Sequence, residues 1–301
     1  MTGIGVLGVP TNSAGRTDGV ALAPTALREA GLVDALERVS PVVDYGDVTL
    51  PAPSPERDPV THLIDPAGLT ALVEAVRSSV ASILTDDRFP LVVGGDCPVL
   101  LGCLAAFGSA ETRGLLFVDG HEDAYPPGRS TTGEAADMEL GFALGLADTP
   151  WWPGSVDSPP LVSLQHARLL GPRDRAALEA EGGVSLAGRT PFVDDRRLAA
   201  DPAESVREAV ASLSSPWWFH LDLDVLSTDA LPAVDYPQDG GLGWDDLDTV
   251  AAAALASGPV GWDVTIYNPD LDPGRIHAER IVRFIAGQVH GLTFAGSAVQ
   301  G

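Results

Sequence analysis

The sequence predicts an α/β fold built on a mainly parallel sheet with helices packed over it. Short apolar runs alternate with helix-like stretches along the whole chain. The runs are dominated by Val, Ile, Leu and Phe, the composition of strands buried on both faces. Three of them end in acidic or metal-coordinating side chains, as expected where ligand sites form at the carboxyl ends of strands.

Ile4 to Val9 reads as the first strand. Pro24 to Val39 carries Leu27, Leu32 and Leu36 at helical spacing, with Pro24 suited to a first helical turn. Val42 to Tyr45 is the second strand. His62 to Leu84 is a long amphipathic helix with Leu69, Leu72, Val76 and Val80 on one side. Leu91 to Val93 is the third strand, stopped by Gly94-Gly95, and Leu115 to Asp119 is the fourth. Trp218 to Asp224 is a later strand and Val260 to Ile266 the last. The proline-rich stretches 51–59 and 148–160 read as surface loops rather than linkers. Residues 1–301 are therefore expected to form a single domain.

Hydrophobic residues make up 45% of the chain, enough for a sizeable core. The net charge is −24, and all 18 Lys-or-Arg positions are Arg. Such an acidic surface repels phosphate backbones and anionic lipid, which argues against nucleic acid and membrane as partners. Cys97 and Cys103 lie in one short segment and do not suggest a disulfide framework. The opening Met1-Thr2-Gly3-Ile4-Gly5 lacks the basic and apolar regions of a secretory signal. No apolar run is expected to reach the length of a membrane span, so a soluble, cytoplasmic protein is expected.

The chemistry gathers at three strand ends. In Asp119-Gly120-His121-Glu122-Asp123 the residues Asp119, His121 and Asp123 are spaced by two. On extended backbone that spacing puts all three on one face, with Glu122 pointing elsewhere. Buried neighbouring carboxylates repel one another and lose solvation, and a divalent cation offsets both effects. Mixed Asp and His ligation suits Mn, Zn or Fe(II) more than Ca or Mg. In His220-Leu221-Asp222-Leu223-Asp224, Asp222 and Asp224 again share a face. His220 has the same parity but lies earlier on the strand. It reads as a hydrogen-bonded histidine behind the ligands or in the core rather than a ligand. In Gly94-Gly95-Asp96-Cys97, two glycines allow a sharp turn that delivers Asp96 and Cys97 to the same edge. A thiolate ligates borderline metals well and Mn less well. Taken singly, an Asp-x-Asp at a strand end is often only a cap or turn, and a lone Cys a small buried hydrophobe. The convergence of three strand ends on one chemistry carries the metal-site reading.

These segments resemble a known family. Gly94-Gly95-Asp96-Cys97 is similar to the Gly-Gly-Asp-His motif of the arginase, agmatinase and formiminoglutamase (ureohydrolase) superfamily. Asp119-Gly120-His121-Glu122-Asp123 resembles its Asp-Ala-His-x-Asp motif. Asp222-Leu223-Asp224-Val225-Leu226, followed by Pro232 and Gly240-Gly241-Leu242, resembles its Asp-x-Asp-x-x-Asp-Pro segment with the later Gly-Gly. Gly8-Val9-Pro10 and Ala23-Pro24-Thr25-Ala26-Leu27-Arg28 look like further landmarks. The resemblance implies a three-layer α/β/α fold on an about eight-stranded parallel sheet, two Mn2+ ions bridged by hydroxide, and a likeness to homo-oligomeric enzymes of small molecules. Carried over by position, Cys97, Asp119, Asp123 and Asp222 would hold one metal. Asp119, His121, Asp222 and Asp224 would hold the other. Asp123 would relay a proton during hydrolysis of a C–N bond in a linear amidine, guanidine or related molecule.

Three departures qualify the carry-over. Cys97 stands where most members have His, as in the branch that hydrolyses N-hydroxyarginine, and is expected to weaken or alter one metal position. Ile266 falls where the family has a guanidinium-binding Glu. Losing a buried carboxylate there would cost a guanidinium several kcal/mol, on the order of a broken charged pair, so arginine and agmatine are poor candidates. Ala136 falls where arginases carry a proton-shuttling His, leaving Glu134 or Asp137 to serve. Two other readings follow: a metal-binding family member without catalysis, in a structural or regulatory role, and a solvated acidic edge with no tight metal.

Overall fold

The computed structural model describes residues 1–290 and 292. Its strands are β1 (Ile4–Val9), β2 (Val42–Asp47), β3 (Phe89–Gly94), β4 (Gly114–Val118), β5 (Ala167–Gly171), β6 (Phe192–Asp194), β7 (Trp217–Asp222) and β8 (Trp262–Thr265). They form one eight-stranded sheet in the order β2-β1-β3-β8-β7-β4-β5-β6, and every neighbouring pair is parallel. The helices are α1 (Ala23–Glu29), α2 (Leu32–Glu37), α3 (Pro66–Thr85), α4 (Val99–Ala105), α5 (Glu139–Ala143), α6 (Arg175–Ala180), α7 (Asp195–Ala200), α8 (Pro202–Ala211), α9 (Trp244–Ala256) and α10 (Ile276–Val289).

Side chains alternate across a strand, and the sheet is buried on both faces accordingly. Leu91 and Val93 of β3, with Phe219 and Leu221 of β7, pack with Leu27, Leu32, Val250, Ile281 and Phe284 of α1, α2, α9 and α10. Val92 and Trp218 face the other way, among Val76, Val80, Leu100 and Phe142 of α3, α4 and α5. This is the expected three-layer arrangement of helices on both sides of a parallel sheet.

The element boundaries differ from the sequence reading for local reasons. The expected helix over 24–39 is two helices, because Gly31 takes a left-handed φ of 87° and turns the chain between them. The long helix begins at Pro66 rather than His62. There the Asp65 carboxylate accepts from the Gly68 amide at 3.0 Å, and proline occupies the first turn. Helix α3 is long and apolar enough to cross a membrane by length and composition, so the expectation of no such run was too strict. Its apolar residues Leu69, Leu72, Val73, Val76, Val80 and Ile83 are instead buried in the core. Two strands went unread. Arg168 interrupts the apolar run of β5, its buried guanidinium donating to the carbonyls of Gln165, Ala167, Ala209 and Ser212. Strand β6 is only three residues long.

Candidate metal centre

The four central strands β3, β8, β7 and β4 lie side by side, about 4.8 Å apart as in any sheet. Their carboxyl ends supply the six expected metal ligands and Ile266. Cys97 follows β3, Ile266 follows β8, Asp222 and Asp224 close β7, and Asp119 to Asp123 follow β4. Adjacent strand ends are close enough for donors on different segments to reach a common ion.

Turns rather than continued strands make the final placement, which corrects the extended-backbone reading of both motifs. Strand β7 stops at Asp222, and a 3-10 turn over Leu223–Val225 presents Asp224. The Asp222 carboxylate accepts from the Asp224 amide at 2.6 Å and holds that turn. Strand β4 stops at Val118. Beyond it, the Asp119 carboxylate accepts from the His121 amide at 2.6 Å. Asp123 lies in the left-handed region at φ 41°. A Cβ at Gly120 would meet the end of the Arg173 side chain, which would have to move aside, and the Asp224 carboxylate. Gly95 is needed, since its Cβ would meet the Thr11 carbonyl. Glu122 points away, as expected. It is fully buried and accepts from the Ser185 hydroxyl at 2.6 Å and from the Leu186 amide.

His121 Nδ1 lies 2.8 Å from Asp224 Oδ2 and 3.7 Å from Asp119 Oδ1. Donor atoms of Asp119, His121 and Asp224 fall within 4.8 Å of one another. The Cys97 thiol donates to Asp222 Oδ2 at 2.8 Å and lies 3.1 Å from the Thr265 hydroxyl. Asp96 does not join these donors; its carboxylate accepts from the Ser13 and Cys97 amides at 2.6 and 3.1 Å. Cys97, His121, Asp123, Glu134, Asp222, Asp224 and Ile266 line one cavity of about 350 Å³, and Asp119 lies fully buried in the protein.

His220 is fully buried, stacked on Phe117 with ring centroids 4.6 Å apart, and its Nδ1 lies 2.6 Å from Asp263 Oδ2. Its Nε2 faces Asp119 Oδ2 at 3.8 Å, and neither atom has a hydrogen-bond partner. Glu139, which the sequence reading missed, is also fully buried with both carboxylate oxygens unpartnered. The signal for it was a charged residue opening the otherwise apolar run Leu140-Gly141-Phe142-Ala143-Leu144.

The electrostatics are those of carboxylates crowded together away from water. Burial, then the charges of Asp119 and Glu139, push the Asp123 carboxyl well above its ordinary range. Burial and the Asp224 and Asp119 charges do the same to Asp222. Burial and the Asp222 charge raise the Cys97 thiol. Burial opposes protonation of His121, but the Asp224 and Asp119 carboxylates outweigh it and raise its pKa well above the usual value. Orphaned buried oxygens, an orphaned imidazole nitrogen and a thiol among carboxylates fit divalent cations, which would replace these protons.

Comparison with known proteins agrees with this architecture. The arginase family profile matches residues 2–289. Arginase-1 of Oryctolagus cuniculus is 27% identical over 277 residues, covering 89% of this chain and 85% of that protein. The arginase of Bacillus caldovelox superposes with a TM-score of 0.81 at 24% identity, covering 98% of this chain and all (100%) of the other. The formimidoylglutamase of Bacillus subtilis superposes with a TM-score of 0.71 at 18% identity, covering 96% and 87% of the two chains. With that profile spanning nearly the whole chain, and with the eight-stranded parallel sheet in agreement, the chain belongs to the arginase family.

Proposed function

We propose that the protein is a metal-dependent hydrolase that cleaves a C–N bond of a linear amidine, guanidine or related small molecule. The convergence of Cys97, Asp119, His121, Asp123, Asp222 and Asp224 from the ends of β3, β4 and β7 carries this reading. Two divalent ions, Mn2+ by family resemblance, would be held by these six residues. When bound they make hydroxide available from water near neutral pH.

The chain's own groups supply the rest. Asp123 faces the cavity, so its carboxylate can take a proton from the nucleophile and return it to the departing nitrogen. Glu134 lines the same cavity and accepts from the Tyr236 hydroxyl at 2.9 Å. Burial, with the neighbouring Asp96 charge, pushes its pKa up to about 7, the value that suits proton exchange between site and solvent. Glu134 is a better shuttle than Asp137, whose carboxylate is occupied by the hydroxyls of Ser130 and Thr132. Ile266 gives the cavity an apolar wall where a cation would need a carboxylate. The substrate is therefore one whose planar carbon does not depend on a charged partner there.

Asp119→Ala in the full chain tests the reading. We expect metal stoichiometry to fall and Mn2+-dependent release of urea, ammonia or amine to drop at least about a hundredfold, with the circular dichroism spectrum unchanged. Undiminished turnover would reject the assignment. Two bound metals with no turnover across a panel of amidines would point to the noncatalytic alternative. A cytoplasmic, homo-oligomeric protein is part of this proposal, and sedimentation of the purified chain checks the assembly.

A further inference from the structure

The orphaned atoms behind the cavity form a set of their own. One donor atom from each of Cys97, Asp119, Glu139 and His220 lies within 4.8 Å of the other three, and all four residues are buried. With the carboxylates ionised, both oxygens of Glu139, Oδ2 of Asp119 and Nε2 of His220 lack partners; Glu139 pairs with the neighbouring Asp123 only while one of the two holds a proton. Leaving several such groups unpaired costs the desolvation free energy of each, so the arrangement calls for something that satisfies them together.

We propose that the inner metal position is a Cys97–Asp119–Glu139–His220 site, in which Glu139 and His220 provide donors alongside the thiolate. This rests on the metal-centre reading above and revises its inner ligand set. It leaves Asp123 and Asp222 facing the cavity, and Asp119 shared with the His121 and Asp224 position.

The geometry and chemistry agree. Zinc-class ions bind nitrogen and oxygen at about 2.0–2.2 Å and sulfur at about 2.3 Å in tetrahedral sites, which sets neighbouring donors roughly 3.3–3.6 Å apart. The 3.8 Å between His220 Nε2 and Asp119 Oδ2 is close to that spacing. The supporting contacts are those of a built site. Asp263 sits at 2.6 Å on His220 Nδ1 and fixes the ring with Nε2 turned inward. Asp263 is itself held by the Trp218 indole N–H. The Thr265 hydroxyl lies 3.1 Å from Cys97 Sγ. A carboxylate on the distal nitrogen of a ligating imidazole is the usual partner at metal sites. One thiolate and one imidazole with two carboxylates favours Zn, Co or Fe(II) over Mn at this position. The pair would then be mixed, with the softer ion inside and the harder one on the cavity side.

The test uses the metal-free full chain and cobalt(II), zinc(II) and manganese(II) salts as probes. Wild type should bind one Co2+ with an intense thiolate-to-metal charge-transfer band and the strong visible bands of tetrahedral coordination. Zn2+ should displace that ion, and excess Mn2+ should not. Glu139→Gln keeps the shape of the side chain and should weaken this one equivalent at least about tenfold, since groups that merely touch a ligand already cost that much. His220→Ala should weaken it similarly, and the second equivalent should remain in both. Metal-free Glu139→Gln should melt no lower than metal-free wild type, because it removes a buried carboxyl from beside Asp119 and Asp123 and leaves an amide able to bond Asp123, so lost metal would not reflect lost fold. Unchanged affinity and unchanged cobalt spectra in both variants would overturn the proposal while leaving a hydrolase reading intact. Intact Glu139-dependent cobalt binding without amidine turnover would support it and sink the hydrolase reading instead. Failure of wild type to bind any of the three ions would overturn both.

Discussion

Ile266 sits in the left-handed region at φ 72°, where a β-branched side chain is a genuine outlier costing about 1–2 kcal/mol. Its amide donates to the Gly95 carbonyl at 2.8 Å, which ties the end of β8 to the turn after β3 and holds the conformation. The side chain faces the cavity. Backbone strain kept at a cavity wall points to a role in selecting the ligand. Ile266→Glu keeps the strained backbone and places a carboxylate on that wall. We expect kcat/KM for guanidinium substrates to rise at least about tenfold over wild type, on the scale of a charged pair gained. No gain, measured against uncharged amides as controls, would remove Ile266 as a specificity determinant. The substitution at Ile266 was legible from the sequence because it stands against a motif. Glu139 was not, because no spacing rule connects it to Cys97 or Asp119, and only the packing of α5 against the strand ends brings them together.

At the scale of elements, helix α10 shows how a residue just outside a helix fixes its terminus. Its first amides have no partner within the helix. The Asp272 carboxylate accepts from the amides of Ile276, His277 and Ala278 at 3.0, 2.9 and 2.9 Å, and from the Tyr267 hydroxyl at 2.8 Å. Asp272→Ala should cost about 1–3 kcal/mol, lowering Tm by roughly 2–4 °C per kcal/mol. A melting temperature within a degree of wild type would contradict this. Elements with a clean apolar run were readable, and β1 falls on Ile4–Val9 in both sequence and structure. Where the run continues past the hydrogen-bonded ladder, the reading overran. Leu223 and Val225 are as apolar as strand residues, yet β7 ends at Asp222 because its carboxylate captures the Asp224 amide. The face-sharing argument thus put Asp222 and Asp224 beside one another through the wrong backbone. At the ends of β4 and β7, carboxylates cap turns that also present the neighbouring donors.

At the scale of the whole molecule, the metal-free protein should be less stable as pH rises. Burial pushes Asp96 up to about 6 and Asp174 and Glu134 up to about 7. Burial likewise raises Asp123, Glu139 and Asp222 well above the carboxylate range. These groups bind protons in the folded chain that the unfolded chain has already released above about pH 4, so stability falls with rising pH. His121 and His220, raised in the fold despite burial, act in the same direction. Their contribution is full below the ordinary histidine value and lost as pH rises through the folded one. Carboxylates held low, such as Asp44 and Asp272, lose their contribution only in more acid solution. We expect the metal-free Tm to fall between pH 5 and 8, and saturating divalent metal to flatten that slope with release of protons on binding. A metal-free Tm that rises over this interval would refute the account.

The Cys97 thiol and the Asp222 carboxylate touch across 125 positions of sequence, and their strands are separated in the sheet by β8. No hairpin or isolated helix pair can assemble such a contact, so a nascent or partly unfolded chain has nowhere to grip a cation at full strength. Tight loading therefore reports that the central strands have closed in register. A lesion far from the pocket that slips any one of them should first be noticed as a protein that arrives empty.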